Sequence, residues 1–147
     1  MNKWIDSYID GLVEYCETRD VFEIYNILDI KICKLDKNNS LIIDNEALYI
    51  RNYFGDEIVF IREDLPYKYM KFVLSHELAH AIIHTDIPIA AFNNKLINKS
   101  KFEHQADYFA LKLLDIFIDK VYYDGCTFEQ VAKSLCVRDA VLEYEFG

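Results

Sequence analysis

Residues 66–84 read PYKYMKFVLSHELAHAIIH. Pro66 suits a first helical turn, and Thr85, Asp86 and Pro88 stop the helix that starts there. Between them Phe72, Val73, Leu74, Leu78, Ala79, Ala81, Ile82 and Ile83 make the predicted helix apolar around most of its circumference, so it should be buried. Inside that run lies His76-Glu77-Leu78-Ala79-His80. Residues four apart share a helix face about one turn apart, so His76 and His80 can aim their imidazoles at one ion. Glu77 is rotated by about 100° and can reach a water rather than the ion. Two neutral imidazoles that hold zinc, with a carboxylate beside them to take a proton from water, form a hydrolytic arrangement. The competing reading is an amphipathic helix with two histidines on its polar edge. Burial argues against it: buried His and Glu side chains need partners, and a single metal ion would serve all three.

Working outward toward the N-terminus, Glu57 to Ile61 reads as a strand, and Arg51 to Asp56, with Gly55, as the turn before it. Ala47 to Ile50 and Leu41 to Ile43 are further short strand candidates. Asp36-Lys37-Asn38-Asn39 is a turn, and Ile30 to Leu35 alternates apolar and polar as a half-buried strand does. These pieces predict a small, twisted, mainly antiparallel sheet with one face on the buried helix. Before it, Trp4, Ile5, Tyr8, Ile9, Leu12, Val13 and Cys16 mark one side of a helix over residues 3–17. Asp20 is placed to cap a second one over Val21 to Leu28.

Toward the C-terminus, residues 86–99 lack periodicity and read as a long connection, a kind that often borders active sites. Residues 100–119 carry Phe102, Ala106, Phe109, Ala110, Leu113, Leu114 and Phe117 at helical spacing. Thr127 can cap a helix from Phe128 to Leu135, and Arg138 to Phe146 form another after a break at Cys136 and Val137. This pair has the outline of a helix-turn-helix. Lys133 and Arg138 are its only basic residues, against four acidic ones from Glu129 onward, so packing rather than DNA reading is expected.

The 147 residues suffice for one domain, residues 1–147, with a substantial core. Apolar residues are 52% of the chain, with 11 Tyr and 10 Phe, which excludes a disordered polymer. A net charge of −9 disfavours direct nucleic-acid binding. No apolar run is long enough for a membrane span, and the acidic N-terminus does not read as a signal peptide. Cys16, Cys33, Cys126 and Cys136 show no C-x-x-C spacing. Reduced, mostly buried thiols and a cytoplasmic location are the expectation.

Catalytic zinc usually takes three protein ligands and keeps one open position. Glu103 is the choice for the third. Ala106 would let its helix approach the first one closely, and Asp107, one turn beyond Glu103, could accept a hydrogen bond from the outer nitrogen of a ligand histidine. Rivals are His84, His104 and Asp86. A second-row or surface role suits His84 better than ligation. Ser100 followed by Glu103 also fits a capping box, which would leave Glu103 a capping carboxylate.

HELAHAIIH followed by FEHQADYFALKLL resembles the ImmA/IrrE family of metallopeptidases. There an H-E-x-x-H helix precedes an E-x-x-A-[DN]-x-F-A helix whose Glu is the third zinc ligand. Glu103-His104-Gln105-Ala106-Asp107-Tyr108-Phe109-Ala110 matches that second pattern. The resemblance covers nearly the whole chain, and the order of motifs is also that of the gluzincins. It implies an α+β, minimal zincin-like fold and a Zn2+ peptidase with ligands His76, His80 and Glu103 and general base Glu77. Members are typically bacterial, phage or mobile-element proteins, and several cleave helix-turn-helix repressors or relieve their repression. The expected partner is therefore such a repressor. The alternative function is a non-proteolytic regulator that binds a repressor around a structural or vestigial zinc site; the presence of Glu77 favours the enzyme.

Overall fold

The computed structural model describes residues 2–52, 54–85 and 99–146, with the backbone alone for Lys99 and for residues 144–146. The order of elements is α1 (Lys3–Cys16), α2 (Val21–Ile27), β1 (Ile30–Leu35), β2 (Ala47–Arg51), β3 (Glu57–Arg62), α3 (Tyr67–Ile83), α4 (Lys99–Leu113), α5 (Phe128–Leu135) and α6 (Asp139–Phe146). The class is α+β, as the sequence predicts.

The sheet is small and mixed, in the order β1-β3-β2. β2 and β3 form an antiparallel hairpin with Tyr49 opposite Val59. Its turn is held by the Asn52 side chain, which accepts from the backbone N–H groups of Phe54 and Asp56 at 2.9 Å each. Gly55 takes φ 86° there, a conformation in which a side chain would be strained. β1 lies parallel on the other edge of β3, with Ile32 opposite Val59. The hairpin is as expected; the parallel partner is the difference. Alternation fixes which face of β1 is buried but not which strand it joins or in which direction.

Leu41 to Ile43 is not a strand. The segment turns, with Asn39 accepting from the backbone N–H of Leu41 at 3.0 Å. Ile42 is fully buried there, whereas Leu41 and Ile43 are exposed. A single inward apolar residue in a turn mimics a short strand.

α3 is the buried helix. Met70, Phe72, Val73, Leu74, Ser75, His76, Glu77, Leu78, Ala79 and Ala81 are all buried. Burial of its larger apolar side chains stabilises the fold by about 2 kcal/mol each. The Tyr25 hydroxyl of α2 donates to the Leu74 carbonyl at 2.6 Å. Asp20 caps α2 as expected, accepting from the N–H groups of Phe22 and Glu23.

α4 packs against α3 through small residues: Ala79, Ala106 and Ala110 have no exposed surface. Tyr108 on α4 donates to Asp6 on α1 at 2.8 Å. The helix stops at Leu113, short of the expected Asp119. Asp115 enters the left-handed region at φ 55°, and Arg19 donates to the carbonyls of Lys112 and Leu113 at 2.9 and 3.1 Å, satisfying the last turn. Phe117, expected on the buried side, is 81% exposed.

Thr127 and Gln130 form a reciprocal capping box at the start of α5, and Cys136 ends it in a left-handed conformation. Val131, Ala132, Val137, Val141 and Leu142 of this terminal pair join the same core as α3 and the sheet, which agrees with the packing role expected of it.

The four cysteines are unbonded, but only Cys16 is buried; Cys126 is exposed. Burial of most of the thiols, expected from the sequence, is thus not found. Among the described residues no helix is long and apolar enough to cross a membrane.

Candidate metal centre

Because the α3 helix keeps i and i+4 on one face, His76 and His80 stand side by side, their ring centroids 5.0 Å apart. α4 crosses them with Glu103. His76 Nε2 lies 3.0 Å from Glu103 Oε2, and His80 Nε2 lies 3.2 Å from Glu103 Oε1. One carboxylate therefore faces both imidazoles. Among the described residues these three form the one His/Cys/Asp/Glu group suited to holding a metal, with their donor atoms all within 4.8 Å of one another. Two imidazole nitrogens and one carboxylate oxygen suit zinc. The residues present fit such an ion.

Burial opposes charge on His76, but hydrogen bonds to Asp107 and Glu103 outweigh it and lift its pKa to about 9. Burial likewise opposes charge on Glu103. There the hydrogen bonds from His76 and His80 win and hold the carboxyl well below the usual range. The charged His76 ring and the Glu103 carboxylate are thus paired with each other, and a bound cation would take the place of the proton between them.

The outer nitrogens are also held. His76 Nδ1 donates to Asp107 Oδ1 at 2.7 Å. Arg138 Nη1 lies 3.2 Å from the same oxygen and 3.2 Å from His76 Nδ1. An arginine N–H can only donate. With the Nδ1 proton committed to Asp107, the bond is the one to the carboxylate, and the approach of Arg138 to His76 is a contact between two donors. Arg138 Nε donates to Glu46 Oε1 at 3.1 Å, and Tyr69 donates to that same oxygen at 2.9 Å.

His80 is supported differently. Its Nδ1 lies 2.9 Å from His84 Nδ1, and His84 Nε2 lies 2.9 Å from Gln105 Oε1. Burial pushes the His84 pKa down to about 4, despite the hydrogen bond to Gln105, so its ring is neutral near pH 7. The Gln105 carbonyl only accepts, so His84 carries its proton on Nε2. His84 Nδ1 then accepts from His80 Nδ1, which keeps His80 Nε2 turned toward Glu103.

The structure thus brings together His76, His80 and Glu103, sets Asp107 behind His76, and sets His84 behind His80. Glu77 is buried on α3. Glu103 is not a capping residue, since Ser100 lies inside α4 rather than ahead of it and the Glu103 carboxylate faces α3. His104 instead faces Ser100, with Nε2 3.5 Å from the hydroxyl. Asp86, and with it the expected connection through residue 98, lies outside the described residues. Sequence reasoning missed Gln105, Glu46, Tyr69 and the site role of Arg138. Gln105 alone had a local signal, its place between Glu103 and Asp107.

The chain is similar to known metallopeptidases. The metallopeptidase ImmA of Bacillus subtilis (strain 168) is 29% identical over 155 residues, spanning 99% of this chain and 86% of its own length. The family model of the IrrE N-terminal-like domain, Peptidase M78, matches residues 26–119, which hold both helical motifs and make up well over half of the chain. The chain belongs to the IrrE N-terminal-like family of peptidases.

Proposed function

We propose that this chain is a single-domain zinc peptidase in which His76, His80 and Glu103 hold the metal and Glu77 is the general base. The carrying observation is the shared carboxylate: Glu103 faces both Nε2 atoms, at 3.0 and 3.2 Å. Zinc, when bound, supplies a Lewis acid that lowers the pKa of water and polarises a peptide carbonyl. Glu77 takes the proton of the attacking water and returns it to the departing amine. Asp107 and His84 hold the outer nitrogens of the two imidazoles, so that both inner lone pairs remain directed at one point.

The substrate is a protein, and in this reading a helix-turn-helix repressor of a phage or mobile element, met in the cytoplasm. The family resemblance supports that choice, and a chain of net charge −9 is suited to a basic partner. The test is Glu77→Gln. The variant should bind zinc and melt as wild type does, while repressor cleavage falls by about 100- to 10,000-fold. Cleavage at the wild-type rate would remove Glu77 from the mechanism. Release of an intact repressor from DNA by both proteins would replace the enzyme with a regulatory binder.

A further inference from the structure

We infer that Arg138 is a positioning residue of the metal centre: it locks the Asp107 carboxylate against His76 and thereby sets the affinity of the site for zinc. The inference rests on the proposed metal centre and extends it to a residue beyond the family-matched residues 26–119. Arg138 stands at the entrance of α6, far along the chain from every ligand.

Three contacts fix its guanidinium. Nε donates to Glu46 Oε1 at 3.1 Å, just ahead of β2. Nη1 donates to Asp107 Oδ1 at 3.2 Å, on α4. The guanidinium carbon lies 5.5 Å from the centre of the Phe72 ring, and Phe72 is fully buried on α3, one turn before His76. Glu46 is itself held by the Tyr69 hydroxyl at 2.9 Å. A planar fork that bonds two carboxylates while resting on an aromatic face is a task for arginine and not for lysine.

The consequence falls on Asp107. Its Oδ1 accepts from both Arg138 and His76 Nδ1, and its side chain is only 9% exposed. Without Arg138 the carboxylate would keep a single protein donor on that oxygen, in a neighbourhood that also holds Glu46 and Glu103. Turning toward water would then be its relief, and His76 would lose the acceptor that orients its ring. Charge alone argues the opposite way, since removal of a cation should draw Zn2+ in more tightly. The two effects have opposite signs, so one titration separates them.

Zinc affinity is measured at pH 7 by competition with a chromophoric chelator, beside the melting temperature of each metal-free protein. Arg138→Ala should weaken binding about 10-fold, the lower end of what outer partners of a ligand histidine contribute. Arg138→Lys, which keeps the charge but not the fork, should also weaken it several-fold while melting close to wild type. In an Asp107→Ala background, Arg138→Ala should add no further loss, because the residue acts through that carboxylate. Wild-type or tighter binding in both Arg138 variants overturns the inference, as does an equal loss with Asp107 absent. If the alanine variant does not fold, the lysine variant decides alone. A wild-type protein that takes up no zinc removes the metal centre itself, a result distinct from any behaviour of the variants.

Discussion

His76 and His80 lie one turn apart on α3 and face the same carboxylate, yet their outer nitrogens are held by different chemistry. Behind His76 stands an ionic assembly of Asp107, Arg138 and Glu46, drawn from three separate segments of the chain. Behind His80 stand the neutral ring of His84 and the amide of Gln105. His76 is 3% exposed and His80 13%. Hydrogen bonds to a charged partner are roughly twice as strong as neutral ones. A motif symmetrical in sequence is therefore asymmetrical in support: His76 is the fixed pole of the site and His80 the adaptable one, at the end of α3 where the chain leaves the helix.

Glu103 is common to both halves, so its loss should be the largest. Glu103→Ala should weaken zinc binding by at least about 100-fold, beyond the 10- to 100-fold that outer partners supply, as elemental analysis and chelator competition would read. A smaller loss than that of Asp107→Ala would mean that the carboxylate is not the shared ligand, and the comparison would lose its reference point. Next come the two supports. Asp107→Ala should cost about 10- to 100-fold in zinc affinity and Gln105→Ala less than about 10-fold. The reverse order in the same titration would exchange the fixed and adaptable poles.

The smallest effect is in the pH dependence of the chelated, metal-free protein. His76 titrates near 9 in the folded chain, above its ordinary 6.5. Its contribution to stability is full below about 6.5 and is lost as the pH climbs through about 9. His84 titrates near 4, so its contribution is full above about 6.5 and is lost as the pH falls toward about 4. Melting curves across that range should show two limbs of opposite slope. Asp107→Ala should flatten the alkaline limb and spare the acid one; loss of both limbs together would show that the two histidines share one support.

What could be read from the sequence divides along the same line. A periodicity reports contacts made within one helix or across one strand face. It therefore yields the α3 and α4 helices, the shared face of His76 and His80, and the placing of Glu103 and Asp107 one turn apart. Arg138 meets Asp107 only after the chain has folded back on itself, and nothing in Val137-Arg138-Asp139 announces that encounter. The parallel pairing of β1 with β3 fails to register for the same reason: it is a relation between distant segments. Leu41 to Ile43 and Phe117 mislead in the other direction, since apolar residues that follow a pattern need not be buried by it.

The route of Arg138 to the centre also bears on how the protein is made. Chains emerge from the ribosome N-terminus first, at about 5–20 residues per second. His76, His80 and Glu103 all precede Arg138 in that order, and so does its anchor Glu46. A nascent chain thus displays its three zinc-type donors for a few seconds before the clamp arrives. If Arg138 sets the affinity, the growing polypeptide holds metal loosely and commits to it only when α6 docks. Synthesis itself then delays the appearance of a competent hydrolase until the fold is nearly closed.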